Sequence, residues 1–107
     1  MRLLEFKVNK QVLSKQPGCD FSHIVADSIG YLRARFNVSS EWDDCKKAAS
    51  FKAAGSDSEF AVLLDENNEC NIPSVALSGE YFTVYLTGVR DRYQIRTTEY
   101  KVKQEVL

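Results

Sequence analysis

The sequence is poor in the groups on which most small catalytic domains depend. It holds one histidine, His23, and three well-separated cysteines, Cys19, Cys45 and Cys70. A lone imidazole and scattered thiols do not supply a tetrahedral metal set, and no C-x-x-C pair is present for zinc or redox work. An odd number of unpaired cysteines is a poor disulfide framework, so reduced thiols in a protein made in a cytoplasm are expected. A thiol nucleophile would have only His23 as its base. The reading is therefore of a non-enzyme without metal or cofactor, with His23 placed as a polar residue at the start of a strand. Charge of one sign is also missing: 14 basic and 15 acidic residues leave a net charge of −1. That balance argues against nucleic acid, which calls for a basic footprint. No apolar run approaches the roughly 20 residues of a membrane span. Met1-Arg2-Leu3-Leu4 leads into charged residues rather than a signal-peptide core, so no membrane association is expected. Long helical periodicity, internal repeats, low-complexity tracts and linkers are absent as well.

What is present is the material for one core. A chain of 107 residues fits a single domain, 1–107, with 44% hydrophobic residues and six Phe, five Tyr and one Trp. Leu4, Phe6 and Val8 alternate with Glu5 and Lys7, the period of a strand with one buried face. Asn9-Lys10 reads as a tight turn into Gln11–Ser14, and Gln16-Pro17-Gly18-Cys19-Asp20 as a loop. A strand from about Ile29 to Val38 puts Leu32, Ala34, Phe36 and Val38 inward and Tyr31, Arg33, Arg35 and Asn37 outward. Ser39 or Ser40 is placed to cap a single helical turn, with Asp43 and Asp44 favouring its N-terminus and Trp42 plugging the core.

The alternation resumes at Lys46–Lys52, and again at Glu59–Leu64 with Phe60, Val62 and Leu64 inward. Asp65-Glu66-Asn67-Asn68 is a turn, followed by a return that buries Cys70 and Ile72. Pro73–Leu77 reads as a short helical turn with Pro at its first position. The strongest strand is Tyr81–Leu86, with Phe82, Val84 and Leu86 inward and Tyr81, Thr83 and Tyr85 outward. Gly88–Arg92 reads as the next turn. In the last strand, Tyr93 to about Lys103, the apolar face switches between Ile95 and Tyr100-Val102, which predicts a β-bulge near Thr97-Thr98.

The expected fold is all-β: an immunoglobulin-like antiparallel β-sandwich of about seven strands with one or two short helical turns. Its edge strands offer a route to partners by pairing with a neighbouring chain. The candidate partner contacts are the outward residues Tyr31, Arg33, Arg35, Tyr81 and Tyr85. The three tyrosines can form an aromatic platform, or cross-strand pairs on a partly covered face. The arginines, with Arg90, Arg92 and Arg96, can gather into a basic patch, or spread into scattered salt bridges. Asp43-Asp44 and Asp65-Glu66 fit turn and capping chemistry better than any calcium loop.

Three stretches carry a resemblance. The first is Phe36, Ser39, Trp42 and Asp43, followed by Lys46-Lys47-Ala48-Ala49-Ser50-Phe51. The second runs from Val62 through the acidic turn to Pro73, and the third joins Phe82–Val89 to Ile95–Thr98. In this order and spacing the chain resembles the N-terminal domain of phage baseplate upper proteins, and related domains of phage tail-fibre and other appendage proteins. The resemblance implies a structural virion module, made in the bacterial host cytoplasm and located in the virion. Such a module fastens a baseplate, tail fibre or head appendage through contacts with other virion proteins, with homo-oligomers, trimers included, expected. The matched residues would be fold determinants rather than catalytic ones. Members of that family continue into a coiled coil or fibre, which leaves either a piece of a longer protein or a free-standing adaptor. The alternative reading is a carbohydrate- or receptor-binding β-sandwich.

Overall fold

The computed structural model describes residues 1–107 and places two β-sheets face to face. The strands are β1 (Arg2–Asn9), β2 (Val12–Lys15), β3 (Leu32–Val38), β4 (Lys46–Ala53), β5 (Phe60–Leu63), β6 (Glu69–Asn71), β7 (Tyr81–Arg90), β8 (Tyr93–Arg96) and β9 (Tyr100–Lys103). One sheet runs β2-β1-β3-β6; the other runs β5-β4-β7-β8, with β9 also paired to β7. Single 3-10 turns at Ser40–Trp42 and Ser74–Ala76 are the only helical elements. The chain is thus an all-β sandwich, as its alternating pattern predicts, with nine strands rather than about seven. Most pairs are antiparallel, but β1 and β3 run parallel, from Arg2 opposite Leu32 to Val8 opposite Val38.

The inner faces supply the core. Leu4, Phe6 and Val8 of β1 and Leu32, Ala34 and Phe36 of β3 face Ala49 and Phe51 of β4 and Phe82, Val84 and Leu86 of β7, all of them buried. Burying each large member stabilises the fold by about 1.5–3 kcal/mol relative to leaving it in water. Phe6 stacks on Phe36 with ring centres 5.0 Å apart and meets Phe21 edge-on at 5.2 Å. Trp42 is fully buried at one end, and its indole N–H donates to the Lys10 carbonyl at 2.8 Å. That bond satisfies the polar atom that would otherwise make burying an indole costly.

Several local expectations are corrected by longer-range contacts. The third strand starts at Leu32, not Ile29: Asp27 and Gly30 take positive φ, and Ile29 stands 82% exposed outside the sheet. His23 lies in a loop with φ 54° rather than at a strand start. Ser39 precedes the first 3-10 turn but does not cap it; its hydroxyl accepts from the Lys10 amide at 2.9 Å and ties that turn to the β1–β2 hairpin. Asp43 and Asp44 follow this turn instead of opening it. Pro73 precedes the second turn as its N-terminal flanking residue. Gly88 is an interior residue of β7, which continues to Arg90. The turn there is confined to Asp91 and Arg92, with Asp91 at φ 49°.

The bulge expected near Thr97-Thr98 forms. Thr87 pairs with Arg96, whereas Val84 pairs with Tyr100, so one extra residue intervenes between β8 and β9 along β7. Thr97 fills the gap twice over. Its N–H donates to Leu86 O at 3.0 Å, and its Oγ1 accepts from Leu86 N at 2.9 Å.

Candidate interaction surfaces

The five contact residues expected from the sequence do not form one surface. Arg33 and Arg35 point outward from the β2-β1-β3-β6 sheet, with Tyr31 just ahead of β3. Tyr81 and Tyr85 point outward from β7, on the other sheet. Side-chain alternation fixes which residues face out, but not which of the two outer faces they share.

On the first face the arginines are already engaged. Glu69 accepts from Arg33 Nε at 2.9 Å and from Arg35 Nε at 2.8 Å. Asp65 Oδ2 takes a further bond from Arg33 at 2.7 Å, and Arg35 lies 3.7 Å from Glu5. The β3–β6 register builds this cluster by placing Arg35 opposite Glu69 and Arg33 opposite Asn71. Bonds from the two guanidinium groups hold the Glu69 carboxyl below the usual carboxylate range. Asp65 is lowered chiefly by the backbone N–H of Glu69, then by that of Asn67 and by Arg33. The same bonds to Glu69 push both arginines further up. Arg33 and Arg35 are therefore committed to a cross-strand network rather than left free for an anionic partner.

On the second face each tyrosine carries a cation. Lys101 Nζ sits 4.2 Å from the centre of the Tyr81 ring, and the Arg96 guanidinium 4.9 Å from that of Tyr85. Tyr85 also donates its hydroxyl to Glu59 at 2.8 Å. Each ring thus has a cation of its own sheet over one face, whereas Tyr31 stands half-exposed. Arg90 lies over Tyr93 and donates to the Asp43 carbonyl, so the later arginines are dispersed among local partners as well.

No hydrogen bond joins a thiol to the imidazole. All three cysteines are free; Cys45 and Cys70 are buried, and burial pushes the Cys70 thiol up to about 12. His23 Nδ1 lies 3.0 Å from Glu105, a carboxylate rather than a thiol. A cleft of about 410 Å³ opens between the start of β4 and the end of β5, lined by Cys45, Lys46, Lys47, Leu63, Leu64 and Asp65 among others.

Sequence alternation did not reveal the edge strand β5. Ala61 and Leu63 are exposed on its outer side, Phe60 is 37% exposed, and Leu63 is 73% exposed. Its four residues are Phe-Ala-Val-Leu, with no charge, proline or bulge. The opposite flank is protected. Thr98 accepts one hydrogen bond from the Leu13 N–H through its hydroxyl and gives one to the Gln11 carbonyl through its amide, lacing β2 to the bulge between β8 and β9. Glu105 likewise bonds Ile24 and Ala26 beyond the end of β9.

Comparison with protein-family models, curated proteins and solved structures finds no match to this chain.

Proposed function

We propose that this chain is a structural module of a phage or prophage virion. It attaches, or forms part of, a baseplate, tail-fibre or head appendage through contacts with other virion proteins and with its own copies. The observation that carries this reading is β5, an apolar strand at the edge of its sheet with Leu63 standing exposed. A domain that works by docking needs such an edge, and an uncommitted edge carries an aggregation risk unless something pairs with it. The sequence resemblance adds to it. Phe36, Trp42 and Phe51, which carry that resemblance, are core residues, and Asp65–Asn68 is the turn between β5 and β6. A near-neutral charge also lets many copies pack without strong mutual repulsion.

The carbohydrate-binding reading depends on an open aromatic groove, and the cations over Tyr81 and Tyr85 occupy those rings. Quantitative mass spectrometry of particles purified from a lysate of the producing strain tests the virion reading. Recovery of the chain in the particle fraction, in fixed ratio to tail or capsid proteins, is the expected result. Recovery only in the particle-free fraction overturns it.

A further inference from the structure

We propose that the cleft at the end of the β7–β9 ladder binds a small zwitterion, one molecule that carries both a primary ammonium and an anionic group. This site is independent of the assembly reading.

Three features meet there. The first is the cleft itself, about 530 Å³, lined by Glu80, Tyr81, Lys101, Lys103, Gln104 and Val106. The β7–β9 register brings these residues together. Tyr81 pairs with Lys103 and Thr83 with Lys101, and the Gln104 N–H donates to the Glu80 carbonyl at 2.7 Å.

The second feature is a buried acceptor without a donor. Gln104 is 9% exposed, and its Nε2 donates to the carbonyls of Leu77 at 3.2 Å and Gly79 at 3.3 Å. Those two carbonyls fix the orientation of the amide, because turning it over would set oxygen against oxygen. Oε1 is left as the one buried side-chain polar atom of the chain with no hydrogen-bond partner. Native folds leave few such atoms, and each calls for a donor.

The third feature is charge of both signs that does not close on itself. Glu80 lines the same cleft as Lys101 and Lys103, yet no ion pair joins them; the chain's ion pairs are those of His23, Arg33 and Arg35. Lys101 lies over the Tyr81 ring instead. A simple anion would answer the lysines and leave Glu80 and Gln104 Oε1 unserved, and a simple cation would do the reverse. A primary ammonium has three N–H donors, enough for the Glu80 carboxylate and for Oε1, while anionic oxygens on the same ligand take the two lysines. A quaternary ammonium carries the charge but no donor, so it does not meet the need of Oε1. Tyr81 and Val106 add apolar lining, and the volume leaves room for a side chain. Free α-amino acids and phosphoethanolamine head groups share this chemistry.

The test is an NMR titration of the isotope-labelled chain with glycine, L-leucine, phosphoethanolamine, glycine betaine and acetate. The expected result is saturable shifts of the Lys103 and Gln104 amides and of the Gln104 side-chain NH2 group with the first three. Glycine betaine keeps both charges but has no N–H, and acetate keeps only the anion; each should bind about tenfold more weakly than glycine, or worse. Whichever of L-leucine and phosphoethanolamine binds more tightly identifies the source, an amino acid or a head group. Glu80→Gln and Lys103→Gln, both at exposed positions, should each weaken glycine binding about tenfold with an unchanged circular dichroism spectrum. Lys7→Gln, exposed on the other sheet, should leave it unchanged. Absence of saturable shifts with all three zwitterions overturns the proposal. So does binding of glycine betaine or acetate as tight as that of glycine, or glycine binding that survives both Glu80→Gln and Lys103→Gln. None of these results touches particle association, so the virion reading stands or falls on its own measurement.

Discussion

Gly88 lies directly beneath the indole of Trp42: a Cβ built on the glycine would come within 2.8 Å of Trp42 Cε3 and 3.2 Å of Cys45 Cβ. The strand thus carries a glycine at an inward position because the ring occupies the space a side chain would fill. Gly88→Ala, which in an unconstrained strand would stabilise, should here cost about 1–3 kcal/mol as an overpacking change. Chemical denaturation checks the sign. With Trp42→Ala as background the same substitution should lose most of its cost, since the clash with the ring is gone and only the tight approach to Cys45 Cβ remains.

Trp42→Ala itself should destabilise by about 3–5 kcal/mol, the usual cost of emptying a site filled by a buried large aromatic. The loss is expected as a lower urea midpoint with little change in slope. A change below about 1 kcal/mol would contradict the fully buried position of the ring.

Thr97→Val should cost about 1–3 kcal/mol, because it keeps the shape but leaves the buried Leu86 N–H without its acceptor. Thr97→Ser, which retains the hydroxyl, should recover most of that loss. If Val and Ser variants unfold at the same urea concentration, the side-chain bond contributes nothing.

The Glu69 cluster predicts a pH dependence with a definite sign. Glu69 and Asp65 are held below the usual carboxylate range in the folded chain, so folding favours their ionised forms. Their contribution is present above the unfolded carboxyl pKa, near about pH 4, and is lost as the pH falls through the lower folded values. Wild type should therefore lose stability more steeply than Glu69→Gln between neutral pH and about pH 3. Parallel slopes for the two proteins would remove the cluster from the account.

The thiols should react in a set order. Cys19 is partly exposed, whereas Cys45 and Cys70 are buried and Cys70 is pushed up to about 12. Iodoacetamide at mildly alkaline pH should label Cys19 first and reach Cys70 only on unfolding, as peptide mass mapping would show. Labelling of Cys70 in the native chain at a rate matching Cys19 would contradict the burial.

The parts of the fold legible in the sequence were those set by neighbours along the chain. Alternation in Leu32–Val38 and Tyr81–Leu86 identified inward and outward residues correctly, and the face switch between Ile95 and Val102 located the bulge. What depended on distant residues was not legible. Gly88 reads locally as a turn residue, because only the arrival of Trp42 from a remote segment explains it inside a strand. The parallel β1–β3 pair follows from how the long intervening segment returns, which no period encodes. The contact surface fared similarly. Tyr31, Arg33, Arg35, Tyr81 and Tyr85 all read as outward, yet the two sheets divide them, and the ion pairs on the two arginines and the cations over Tyr81 and Tyr85 come from other strands. The edge position of β5 was hidden for the same reason. A run of Phe-Ala-Val-Leu looks alike at the centre of a sheet and at its rim.

The lacing of Thr98 to Gln11 and Leu13 gives the molecule a handed asymmetry: one flank is sutured and the other is open. Both bonds cross from one sheet to the other, between β2 and the segment joining β8 to β9. They clamp that end of the sandwich against splaying, and loosening Thr98 would let the two sheets part there first.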